Sequence, residues 1–159
     1  MNSIEPVLRA TFIFLYFSAG LWILLGIRPK QMSRAEKLFV AVLALELAVN
    51  LAVLLVIRTE MYAEYYPYIG ILPIFFAFLI VSPFRFIQSV FLFLTAVAWV
   101  APLLLFSNTA VLLFPGNDFL KLIVQILVAI PMLNVLHRYF RPSLMYLLRH
   151  FTRGWLLFF

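Results

Sequence analysis

The sequence predicts an all-α, polytopic transmembrane helical bundle with five complete spans and the start of a sixth, its N-terminus outside. Three observations carry this prediction. Of 159 residues, 66% are hydrophobic and only 11% charged, and the mean hydropathy is +1.10. Soluble domains run at about 45–50% apolar and about 25% charged, so a chain of this composition cannot keep its surface in water. The apolar residues also form long runs separated by short charged breaks, and the basic residues collect in alternate breaks.

The runs cover residues 7–27, 38–57, 66–82, 84–106 and 119–136. Crossing hydrocarbon takes about 17–25 helical residues; the third run is near that lower limit and contains Pro73. Helix is the spanning form because backbone groups in lipid must be satisfied within their own segment. Barrel strands would instead alternate over about 10 residues, and no such alternation is present. The first run is a retained span and not a secretory leader. It exceeds the usual apolar length of a leader, Glu5 precedes it, and its small-residue cluster Ser18-Ala19-Gly20 sits mid-run.

Orientation follows from Lys and Arg, which favour cytoplasmic loops. Arg28, Lys30, Arg34, Lys37, Arg85, Arg138, Arg141, Arg149 and Arg153 fall on one side, nine of the twelve basic residues. Arg9, Arg58 and Lys121 fall on the other, together with Glu5, Glu60, Glu64 and Asp118. The expected layout is a five-span membrane domain over residues 1–136, a basic cytoplasmic juxtamembrane segment over 137–153, and a truncated sixth span over 154–159. Leu144, Leu147 and Leu148, at helical spacing among arginines, predict a short helix within 142–150 at headgroup level. Gly154-Trp155-Leu156-Leu157-Phe158-Phe159 opens a further apolar run, so the expectation is a fragment of a longer protein.

Catalytic chemistry is not visible. With no Cys, disulfides, thiolate metal sites and cysteine nucleophiles are excluded. His137 and His150 lie 13 apart, with no acidic neighbour and no metal-ligand spacing. Gly116-Asn117 after Pro115 reads as a turn, and there is no phosphate-binding glycine loop. No cofactor, metal or nucleic-acid partner is expected: the net charge of +6 sits beside the spans, where topology and anionic headgroups account for it.

Three groups of residues are candidate sites. Tyr62, Tyr65, Tyr66 and Tyr68 cluster at the outer end of the third span, as interfacial anchors do or as the mouth of an external ligand site would. Ala41, Ala44, Ala48 and Ala52 share one face of the second span, and small residues let helices approach closely in lipid. That predicts a central second helix with neighbours on both sides. Glu46 and Asn50 fall on roughly the opposite face. Counting about 1.5 Å per residue from the cytoplasmic ends places Ser18, Glu46, Asn50, Thr95 and Gln125 in one polar layer roughly 12–18 Å deep. A carboxylate there costs about 2.5–3.5 kcal/mol on insertion scales, so Glu46 is expected to face the interior. Prolines 73, 102 and 131 lie inside spans.

The stretch Tyr65-Tyr66-Pro67-Tyr68-Ile69-Gly70-Ile71-Leu72-Pro73 with its aromatic apolar continuation resembles the membrane region of clostridial GHKL-type sensor histidine kinases, related to Agr-type peptide-pheromone receptor kinases. Arg28-Pro29-Lys30 after the first span fits, and Arg138-Tyr139-Phe140-Arg141-Pro142 through Arg153-Gly154-Trp155-Leu156-Leu157 looks like the joint before their sixth span. The resemblance covers essentially the whole chain through loose apolar and aromatic patterns. It implies a bacterial plasma-membrane sensor for an extracellular peptide or small molecule, dimeric in the complete protein, and not itself an enzyme. The chain has no phospho-acceptor His motif and no ATP-binding boxes, so no catalytic residue carries over. The alternative is the substrate-binding membrane component of a small-solute, vitamin-type importer, which the intramembrane prolines would suit. A structural assembly factor is a third reading.

Overall fold

The computed structural model describes residues 4–56, 70–113 and 118–150. Every regular element among them is helical. Helix α1 covers Ile4–Leu25. Phe14, Phe17, Leu21 and Leu24 recur every three or four residues and are all buried, so they form one continuous stripe. The helix stops at Gly26, whose φ of 69° is left-handed; glycine adopts this at no steric cost. Its N–H returns to the Trp22 and Ile23 carbonyls at 3.0 and 3.1 Å, which satisfies the helix end. The Trp22 indole then donates to the Ile27 carbonyl at 3.1 Å and fixes the exit of the chain.

One 3₁₀ turn, Pro29–Gln31, leads to α2 over Arg34–Val56. Ser33 and Glu36 form a reciprocal capping box at its start. The Ser33 N–H donates to Glu36 Oε2 at 2.6 Å, and the Glu36 N–H donates to Ser33 Oγ at 3.2 Å. Helix α3, Leu72–Val81, follows a π turn at residues 70–71 and carries Pro73 in its first turn, where a missing N–H breaks no bond. Its 10 residues rise about 15 Å. The expected third span at 66–82 is therefore represented by a short apolar helix, and residues 57–69 lie outside the described ones.

Helix α4 runs from Phe86 to Leu113, seven residues past the expected end at 106. Pro102 lies inside it and deprives the Ala98 carbonyl of its helical donor. The neighbouring Trp99 carbonyl accepts the Tyr16 hydroxyl at 3.4 Å, so a neighbouring helix supplies polar contact at the break. Helix α5, Asp118–Val135, passes through a π turn at Leu136–Phe140 into α6, Arg141–His150. The Arg141 N–H reaches the Leu136 carbonyl, five residues back. Pro142 explains the wide turn: its ring would press on the Arg138 carbonyl in a regular helix, and π geometry moves that carbonyl aside. The expected boundary at 136 is thus no break in the helix. The short helix expected at 142–150 exists, as the last turns of this longer one.

Among the described residues, four helices are long and apolar enough to cross a membrane, within Val7–Leu25, Arg34–Leu54, Phe86–Thr109 and Phe119–Leu148. They form a bundle centred on α1, which packs against α2, α4 and α5; α3 fills the space between α2 and α4. Aromatic rings build the core. Phe93 of α4 meets Phe17 of α1 at 5.7 Å and Phe75 and Phe78 of α3 at 5.0 and 5.5 Å. Phe78 in turn meets Phe39 of α2 at 6.2 Å. These are edge-on pairs, the favoured geometry. Large apolar side chains such as Leu45, Ile80, Leu105, Leu127 and Ile130 are 63–70% exposed. So much exposed apolar surface is unusual for a soluble monomer and fits a lipid bilayer.

The alanine face requires a correction. Ala41, Ala44, Ala48 and Ala52 are all exposed among the described residues. The stripe of α2 that faces the bundle is Phe39, Leu43, Glu46, Asn50 and Leu54. Helices α1 and α3 both approach α2 from that side. Ring packing between Phe39 and Phe78 sets the distance there, so close backbone approach at small residues is not what joins α2 to its neighbours.

Candidate functional site

The polar side chains within the apolar helices do not form one layer. Tyr16, Leu103 and Ala129 share a cluster and fix the relative depth of α1, α4 and α5. Ser18 lies two residues from Tyr16 toward the end carrying Arg28, while Gln125 lies four residues from Ala129 in the other direction. That separates Ser18 and Gln125 by about 9 Å along the bundle. A count from residue 136 misplaces Gln125, because its helix continues to His150.

Each group is instead satisfied locally or left open. Thr95 Oγ1 donates to the Phe91 carbonyl at 2.8 Å, within its own helix. Gln125 is buried and makes a long hydrogen bond of 3.5 Å to Ser107 Oγ of α4, with its own Oε1 unpartnered among the described residues. Asn50 Nδ2 donates to the Glu46 backbone carbonyl at 2.6 Å. Glu46 is 7% exposed, and its Oε2 has no hydrogen-bond partner among the described residues. Ser18 Oγ is likewise buried and unpartnered. The structure therefore joins Glu46 with Asn50 and Gln125 with Ser107, as two separate pairs. Tyr62, Tyr65, Tyr66 and Tyr68 lie outside the described residues.

A buried carboxylic acid with an open oxygen is the most reactive feature of the apolar region. Among the described residues no group of His, Asp and Glu could hold a metal ion. A separate apolar cavity of about 280 Å³ opens where Ile13 and Phe17 of α1 face Val100, Ala101 and Leu104 around Pro102.

No family model, curated protein or solved structure matches the chain.

Two further polar groups organise the opposite end of the bundle. Gln88 is buried; its Oε1 accepts from the Arg85 N–H at 3.3 Å, and its Nε2 donates to the Leu148 carbonyl at 2.9 Å. It ties the α3–α4 turn to α6. Ser89 shares a hydrogen bond of 2.7 Å with Ser82 across the same turn. Sequence reasoning passed over both. The available signal was Gln88 at the third position after Arg85, where an N-terminal side chain can reach back to the cap.

Proposed function

We propose that this chain is the membrane-embedded sensor module of a two-component signalling histidine kinase, multi-pass in a bacterial plasma membrane with its N-terminus outside. The observation that carries the proposal is the unbroken helix from Asp118 through the π turn to His150. Its first part packs on α1 and α4 inside the apolar bundle, and its last part is tied to α4 through Gln88. A shift or rotation of α1 or α4 is therefore delivered along one rigid element to the end of the described chain. Packed helices respond to a signal by such discrete shifts. Glu46 supplies a place to bias them, because its buried Oε2 has no hydrogen-bond partner among the described residues and can gain one. Interhelical bonds of this kind average only about 0.6 kcal/mol.

The resemblance to clostridial sensor kinases points the same way, with an extracellular peptide or small molecule as the signal and a homodimer as the complete receptor. The importer reading has one observation in its favour, the apolar cavity beside Pro102. The coding sequence beyond residue 159 separates the two. A coiled coil and an ATP-binding domain in frame support the sensor, whereas a stop codon just after a completed further span supports the carrier.

A further inference from the structure

We infer that the basic end of the bundle holds a built site for one anionic phospholipid, with its phosphate between Arg28, His137 and Arg141 and an acyl chain lying along α1 and α2. This inference is independent of the sensor reading. A cavity of about 420 Å³ opens where α1 ends, and Arg28, His137 and Arg141 line it together with Trp22 and Ile27. Three basic side chains thus converge with no carboxylate among the lining residues. Glu36, which begins the next helix, is engaged with the Ser33 N–H at 2.6 Å.

The local fold explains the convergence. Gly26 has no side chain, and the Arg141 guanidinium occupies the space where a Cβ would lie. His137 and Arg141 are four residues apart through the π turn, so they fall on the same side of the helix. Arg141 Nε is buried with no hydrogen-bond partner among the described residues. A buried donor without an acceptor is costly, and a phosphate oxygen is an acceptor suited to a guanidinium.

A second cavity identifies the ligand as a lipid and not a free anion. A groove of about 310 Å³, lined by Ser18, Ala19 and Leu43, shares Trp22 and Ile23 with the basic cavity. It is almost wholly apolar and continues from the basic end into the depth of the bundle. A charged head and an apolar tail are thus provided for in adjoining spaces, at the level where headgroups meet hydrocarbon.

Titration of the purified full chain in detergent, read by native mass spectrometry, tests the assignment. Dioleoyl phosphatidylglycerol should be retained at one per chain, at least about tenfold more tightly than dioleoyl phosphatidylcholine. Loss of one charge-assisted contact is worth about tenfold, so Arg141→Gln should weaken retention by about that factor and Arg141→Lys by less. Arg85→Gln, at the same end but outside the cavity, should change nothing. Ala19→Phe fills the groove and should weaken lipid retention without altering any charge. Equal retention of the two lipids, or equal losses from Arg85→Gln and Arg141→Gln, would overturn the site. Unchanged lipid retention in Ala19→Phe, with full displacement by millimolar inorganic phosphate, would reduce it to a phosphate site and overturn the lipid. Should Arg141→Gln lose its helical circular dichroism, Arg28→Gln, an exposed position, takes its place with the same expected outcome.

Discussion

Replacing Phe93 by Ala tests whether aromatic packing holds the bundle together. Phe93 is 3% exposed and meets three rings, those of Phe17, Phe75 and Phe78. Each such pair is worth about 0.5–1.5 kcal/mol beyond area burial, which gives about 1.5–4.5 kcal/mol for the three. In water a buried Phe→Ala change costs about 3–5 kcal/mol, including transfer to solvent. In lipid the transfer part is nearly absent, because acyl chains are as apolar as the core, and the lost contacts and the cavity remain. The expected loss is about 2–4 kcal/mol. Leu94, the next residue, is 51% exposed, and Leu94→Ala should cost about 0.5 kcal/mol or less. Unfolding in mixed micelles by increasing SDS, followed by Trp fluorescence, measures both. Equal losses for Phe93→Ala and Leu94→Ala would refute the reasoning, since they would mean that α4 turns another face inward.

Other substitutions probe separate parts of the account. Ser33→Ala removes one half of the capping box and should cost about 0.5–2 kcal/mol in the same titration. Gln88→Leu frees the Leu148 carbonyl and the Arg85 N–H; it should loosen α6, read as faster protease cleavage after Arg149, with a cost of about 1–3 kcal/mol. Ala44→Leu adds bulk to an exposed face and should be neutral to within about 0.5 kcal/mol; a clear loss would show that something covers that face. On the sensor proposal, Glu46→Gln should keep the response to stimulus and Glu46→Leu should abolish it in a kinase that carries this module. Parental behaviour in both would remove Glu46 from signalling.

The long helices were legible because twenty apolar residues in a row have one solution in lipid. The turn after α1 was legible only as a break; that Gly26 takes a left-handed conformation and makes room for Arg141 depends on a residue 115 positions away. Alanines 41, 44, 48 and 52 misled because spacing shows that residues share a face and not which face meets a neighbour. Large apolar residues suit both core and lipid, so the choice fell to Phe39 and Phe78, whose pairing no local pattern reveals. The polar layer failed for a related reason: depth counted from each apolar run assumes that every helix ends where its run ends. Helix α5 instead continues through the π turn and past Arg138 and Arg141 to His150. Gln88 was hidden as an ordinary polar residue near a turn, and its partner is a backbone carbonyl 60 residues away.

Side-specific labelling of single cysteines tests the membrane architecture most directly. The chain has no Cys of its own, so each introduced thiol reports alone. Arg34 at the start of α2 and Asn108 near the far end of α4 are both exposed and lie at opposite ends of the bundle. With a membrane-impermeant maleimide on sealed cells, Asn108→Cys should label at once, and Arg34→Cys only after permeabilisation. Labelling of Arg34→Cys in sealed cells, alone or together with Asn108→Cys, would contradict the account.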